Sequence, residues 1–134
     1  MTEPVPSVVV ELIVGLDENY SFMNFLDPQN PTRLSLNLEE RCEIVFTLRD
    51  QLILAGWSFQ KQPVEFLNDY GINFSSYVWV PHSCDGRDAP RSRFKVIFEC
   101  ERMGIFHYSL FMRDGLGQNI DLDPDIENGA GRVP

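Results

Sequence analysis

Two stretches of the chain alternate hydrophobic and polar residues at the period of a half-buried strand. In the first, Cys42, Ile44, Phe46 and Leu48 fall on one face and Arg41, Glu43, Thr47 and Arg49 on the other, with Val45 as the exception. In the second, Phe94, Val96, Phe98 and Cys100 face one way and Lys95, Glu99 and Glu101 the other. The connection Arg102-Met103-Gly104 then leads into an aromatic run from Ile105 to Met112, which predicts a β-hairpin. Asp114-Gly115 marks a turn before a shorter strand over 119–122.

Val8 to Val14, Tyr20 to Leu26, Arg33 to Leu38, Trp57 to Phe59 and Tyr77 to Val80 are further strand-forming stretches, bounded by Gly, Pro and Asp positions. Glu39 and Glu40 would suit the first turn of a helix, but the period of 2 and the β-branched residues over 38–50 predict a strand. Val64 to Tyr70 fits either one helical turn or a strand ending at Gly71. Without a long helix-period segment there is nothing to carry βαβ crossovers. The elements therefore predict an all-β chain, an antiparallel two-sheet β-sandwich of about seven or eight strands, immunoglobulin-like or Greek-key in its connections. Its expected core is Val10, Leu12, Ile44, Phe46, Leu48, Trp57, Phe94, Val96, Phe98, Phe106, Tyr108 and Leu110. Residues 1–134 read as one domain, with an irregular tail from about 123, where Pro124, Gly129, Gly131 and Pro134 gather.

Composition narrows the class. At 134 residues and 43% hydrophobic, the chain can bury a core without a disulfide or a metal. Its net charge of −9 repels phosphate backbones and anionic headgroups, so neither nucleic acid nor a membrane surface is an expected partner. The start, Met1 to Ser7, has neither a basic nor a long apolar region of a signal peptide. With the odd set Cys42, Cys84 and Cys100, this predicts reduced thiols and a cytoplasmic location.

The acidic residues raise the question of a cation. Asp121, Asp123 and Asp125 alternate ahead of Asn128 and Gly129, and such oxygens can wrap calcium, although Pro124 stiffens the centre and no EF-hand spacing is present. Asp17, Glu18, Asp27, Asp50, Asp85, Asp88 and Asp114 all stand at expected strand ends, where they either converge on a cation or serve as ordinary turn residues. The segment Pro81 to Arg91 reads as a long polar loop and places His82 two residues from Cys84, the pairing a reactive thiol would need. Arg87, Arg91, Arg93 and Lys95 form a basic stripe that either binds an anion or balances nearby carboxylates. His107 lies within a strand, where local hydrogen bonding is its ordinary role, and Trp57, Tyr77 and Trp79 serve either as core or as a sugar- or peptide-binding face. Two histidines and no C-x-x-C spacing leave no zinc site. Phosphate loops, dinucleotide fingerprints and nucleophile elbows are also missing.

The strand Phe106-His107-Tyr108-Ser109-Leu110-Phe111, the turn Asp114-Gly115, and Asp123-Pro124 with Glu127 nearby resemble the DP-EP family of small bacterial proteins. The late aromatic strand, the turn and Asp123-Pro124-Asp125-Ile126 are also similar to the inclusion-body proteins of the AidA/PixA type. The resemblance spans Phe94 to Gly129, and Asn128 departs from it where the first family's name implies Pro. It implies a bacterial β-sandwich and carries no established activity.

No catalytic set is completed anywhere in the sequence. The expectation is a non-enzymatic binding or interaction module that meets a protein partner or a second copy of itself, without a cofactor. The alternative is a calcium- or thiol-dependent sensor or enzyme.

Overall fold

The computed structural model describes residues 8–18, 22–24, 36–38, 40–67, 69, 71–101, 104–122 and 125–128, with the backbone alone for 23–24, 36–38, 104–106 and 125–128. The chain runs β1 (Val9–Leu16), β2 (Phe22–Asn24), β3 (Leu36–Leu38), β4 (Cys42–Leu48), α1 (Asp50–Leu54), β5 (Ser58–Phe66) and β6 (Val78–Trp79). It continues through β7 (Ser83–Cys84), β8 (Arg87–Asp88), β9 (Arg93–Phe98), β10 (Gly104–Arg113), β11 (Asn119–Leu122) and β12 (Asp125–Asn128). The architecture is an all-β sandwich. One sheet has the order β2-β1-β4-β9-β6; the other has the order β11-β10-β12-β3, with β5 on the far side of β10.

Most pairings are antiparallel, and two run parallel: β1 with β4, and β12 with β3. Hairpin-only connections would exclude both. The chain leaves β1 and returns through β2 and β3 before adding β4 beside β1 in the same direction.

The alternation in the sequence decides which face is inside. Along β9, Phe94, Val96 and Phe98 are buried while Arg93, Lys95 and Ile97 are half-exposed. Central strand β4 is buried on both faces except at Thr47, which explains why Val45 breaks its pattern. Phe46 stacks on Phe94 within the first sheet, with centroids 4.8 Å apart, and meets Tyr108 of the second sheet at 5.8 Å. Phe59 of β5 crosses the gap to Phe94, edge to face, at 4.9 Å. Aromatic pairs of this kind add about 0.5–1.5 kcal/mol each beyond the area they bury.

Nine of the expected core residues, Leu12, Ile44, Phe46, Leu48, Phe94, Val96, Phe98, Tyr108 and Leu110, are buried. Val10 and Trp57 pack against the core half-buried, and the Phe106 side chain lies outside the described residues. Val14, Leu52, Phe59, Val64, Phe74 and Met112 complete the core.

Besides the predicted hairpin over 94–112, which does not form because β9 and β10 lie in different sheets, three expectations are corrected. The tail does not turn irregular at 123: β12 pairs with β10, and its register (Phe106 with Ile126) continues that of β11 (Leu110 with Leu122). The stretch Trp57 to Phe59 leads into a nine-residue strand, β5, that begins at Ser58 and includes Pro63. A proline fits there because β5 is an edge strand in which four residues, 60–63, face Phe111 alone. Within that irregularity Gln60 Nε2 donates to the Met112 carbonyl at 2.9 Å, a side chain standing in for backbone. The third is Pro81 to Arg91, which holds a tight hairpin rather than a long open loop: β7 and β8 pair across Asp85-Gly86, both at positive φ (53° and 74°). That is the conformation of a type I′ turn, for which Asp-Gly is a preferred pair.

Candidate functional site

The hairpin β7–β8 and helix α1 sit at one end of the sandwich, and His82 is the residue common to the two grooves found there. The first groove, about 650 Å³, is lined by Ile13, Thr47, Arg49, Asp50, Gln51 and His82 among others. The second, about 1060 Å³, lies between β6 and the hairpin; Trp79, Pro81, His82, Asp88, Arg91 and Arg93 are among its lining residues.

Each wall of the second groove is held in place by the fold. Trp79 is opposite Phe94 in the β6–β9 pair and packs against its ring at 6.0 Å and against Tyr77 at 5.7 Å. The Tyr77 hydroxyl donates to the Lys61 carbonyl at 3.0 Å, linking β6 to β5. On the opposite wall, the Ala89 amide donates to the His82 carbonyl at 2.9 Å, and the Ser92 hydroxyl donates to the Ala89 carbonyl. Arg91 is an exposed non-glycine residue at φ 55°, a conformation that glycine adopts more cheaply. Its carbonyl accepts the Phe59 amide at 2.7 Å, which fixes that conformation.

Two buried side-chain nitrogens, His82 Nε2 and Arg93 Nε, have no hydrogen-bond partner among the described residues, and both belong to residues lining this groove. A buried donor left unpaired costs about 1–3 kcal/mol. Both atoms are shielded from solvent, although their residues line the groove.

The basic stripe divides in two. Lys95 pairs with Glu43 at 2.8 Å and Arg93 Nη2 with Glu11 at 3.4 Å, so those two cations balance carboxylates on the outer face of the sheet. Such partly exposed pairs are worth about 0–1 kcal/mol. Arg87 and Arg91 are exposed, and among the described residues neither makes an ion pair.

Cys84 is buried under the hairpin. Its burial, together with the Asp50 carboxylate that accepts a hydrogen bond from the thiol and the nearby Asp85, raises its pKa. All of these effects favour the neutral thiol over the nucleophilic thiolate, and the partner of Cys84 is Asp50 rather than His82. Cys42 is also pushed up, to about 11, by burial first and then by Cys100 and Glu40. No disulfide joins the three cysteines.

The expected acidic positions are scattered. Asp121 is exposed on β11, where its carboxylate accepts a hydrogen bond from Gln60 Nε2 at 3.3 Å. Asp123 lies outside the described residues, and Asp125 is described only as backbone in β12. Asp114 closes its own loop, accepting from the Leu116 and Gln118 amides at 2.9 Å each. Asp50 opens α1, Asp85 and Asp88 lie in the hairpin, Asp17 and Glu18 follow β1, and Asp27 lies outside the described residues. Among the described residues no three His, Cys, Asp or Glu side chains gather closely enough to hold a metal ion. His107 is exposed on β10, and its carbonyl accepts the Leu67 amide at 2.8 Å. No helix among the described residues is long and apolar enough to cross a membrane.

Sequence patterning singled out most of the lining, in Pro81 to Arg91, Arg93 and Trp79, but not the groove that joins them. Its parts come from β6, the hairpin and β9, and Asp85-Gly86 is the signal that could have placed the hairpin wall.

No family model matches the chain, and no curated protein matches it. Among solved structures, the chain is similar to the crystal structure of Fet3p, a multicopper oxidase that functions in iron import. That match has 17% identity and a TM-score of 0.44 over 92% of this chain and 32% of the other. A second similar structure is the McoA multicopper oxidase 2F4 variant from the hyperthermophile Aquifex aeolicus, at 11% identity and a TM-score of 0.37 over 95% and 31% of the two chains. The chain thus spans about a third of the length of the solved structures it matches.

Proposed function

We propose that the chain is a non-enzymatic binding module whose binding surface is the groove between β6 and the β7–β8 hairpin. The observation that carries this reading is the coincidence of the two partnerless buried nitrogens, His82 Nε2 and Arg93 Nε, with one groove. Native interiors leave few polar groups unpaired, and each one that is left calls for something that completes it, such as a water, an ion or a ligand. Arg91, held at positive φ on the groove wall, adds a second local cost of the kind that gathers at binding sites. The neutral Cys84 thiol and the self-closing Asp114 loop favour binding over the calcium- or thiol-dependent alternative.

Screening a ¹⁵N-labelled sample against a mixture of small polar and aromatic fragments tests the reading. Amide shifts concentrated at Trp79 to Arg93 support it. Shifts scattered over the surface, or confined to another face, remove it.

A further inference from the structure

Resting on that reading, we propose that the groove takes a carboxylate carried on an apolar body, with Arg91 as the charge partner and Trp79 as the flat contact surface. Arg91 is exposed on the groove wall, among the described residues it has no ion pair, and its backbone is pinned by Phe59. An exposed guanidinium without an ion pair keeps five donors available in a fork that matches a carboxylate. Beside the charged Asp88 and Arg93, the lining has an apolar part: Trp79, Val80, Pro81, Ala89 and Pro90 supply a surface for a hydrophobic body.

Net charge selects between anions. A chain at −9 repels a doubly charged phosphate about twice as strongly as a singly charged carboxylate, and Asp88 on the same wall adds to that repulsion. An anion here must gain from apolar contact as well as from charge, which an organic acid does and inorganic phosphate does not. The acid can be free or can be the C-terminus of a peptide, since both present the same group.

The test is a pair of titrations of the ¹⁵N-labelled full chain, one with N-acetylphenylalanine and one with its methyl ester. Shape and apolar area are almost the same, and only the charge differs. The acid should saturate shifts at the Trp79 indole and the amides of 80–93, with the ester binding at least about tenfold more weakly, as expected for losing a charge-assisted hydrogen bond. Arg91→Gly suits the positive φ and keeps the fold; it should abolish the preference for the acid, while Arg91→Lys should retain part of it. A tripeptide ending in a free phenylalanine carboxylate distinguishes the source: tighter binding than the single amino acid points to a peptide terminus, and equal or weaker binding points to a free acid. Equal binding of acid and ester, or no groove shifts with acid at about 10 mM, overturns the proposal. If other fragments still occupy the groove, the binding module stands and only the carboxylate assignment falls; if none does, both fall.

Discussion

The Phe59 amide donates to the Arg91 carbonyl at 2.7 Å while the Phe59 ring packs edge-on against Phe94 at 4.9 Å. One residue thus ties the groove wall to the centre of the core. A loop residue at positive φ is usually free to relax, but Arg91 is held by a strand whose side chain is fully buried. The Arg91 backbone is therefore tied to β5, which lowers the cost of ordering that wall on binding.

Phe98→Asp is expected to abolish soluble, folded protein. Phe98 is fully buried on the inner face of β9 and packs against Phe74 at 5.2 Å, and an aspartate there would be an unpaired charge in an apolar environment. Expression yield and far-UV circular dichroism check this. A soluble variant that melts cooperatively would contradict the assignment of faces.

Asp69→Ala should destabilise by about 3 kcal/mol. The Asp69 carboxylate is buried and accepts the Asn73 amide at 3.0 and 3.1 Å and the Phe74 amide at 3.1 Å. Asn73 in turn accepts the Glu101 amide at 2.8 Å through its side chain, so this carboxylate anchors the segment that leads toward β6. Chemical denaturation gives the value, and a change below about 0.5 kcal/mol would mean that water replaces the lost partner without cost.

Stability should fall as the pH rises above 9. The Cys42 thiol titrates at about 11 in the folded chain against 9.0 for an unperturbed thiol. Between those values the unfolded chain releases a proton that the folded chain retains, so alkali favours unfolding. The contribution is complete below pH 9 and lost by about pH 11, some 2–3 kcal/mol at most. Denaturation midpoints of the native chain and of Cys42→Ala, measured across this window, should show the difference between them shrinking as the pH rises. Parallel curves would contradict it.

Gly115→Ala should cost about 1–3 kcal/mol, because an added methyl group would collide with the backbone carbonyl of Ala55. Both partners in that collision are backbone, so neither can swing aside. A thermal melt reads the loss; an unchanged melting temperature would show that the 114–118 loop moves freely away from Ala55-Gly56.

The strands that form the centre of the sandwich were legible because their alternation is strict. β9 and β4 both show all of their inner face in the sequence, and only Val45 breaks the polar outer face of β4. Less was legible where tertiary packing overrides pattern. α1 is five residues long, too short for a helical period to appear, and it is anchored mainly by burying Leu52. β5 was read as three residues because Gln60, Lys61, Gln62 and Pro63 carry no strand signal; they are held as an edge irregularity against β10. The candidate site was less legible still. Arg91 and Trp79 are twelve positions apart in the chain, and only the folding of the hairpin over β6 brings them to one groove. The motif that does stand out, His82 with Cys84, is divided in the structure: the thiol bonds to Asp50, while His82 lines both grooves.

The central claim is that the groove between β6 and the hairpin is where this chain binds. The most direct measurement is the melting temperature of the native chain and of Ser83→Trp, each with the tightest fragment at about a hundred times its Kd, where a single site adds roughly 2.7 kcal/mol. Ser83 is exposed and lines the groove, so an indole there would fill the groove without disturbing the core. The account predicts a rise of several degrees for the native chain and none for the variant. Equal rises in both would place the binding elsewhere and contradict it.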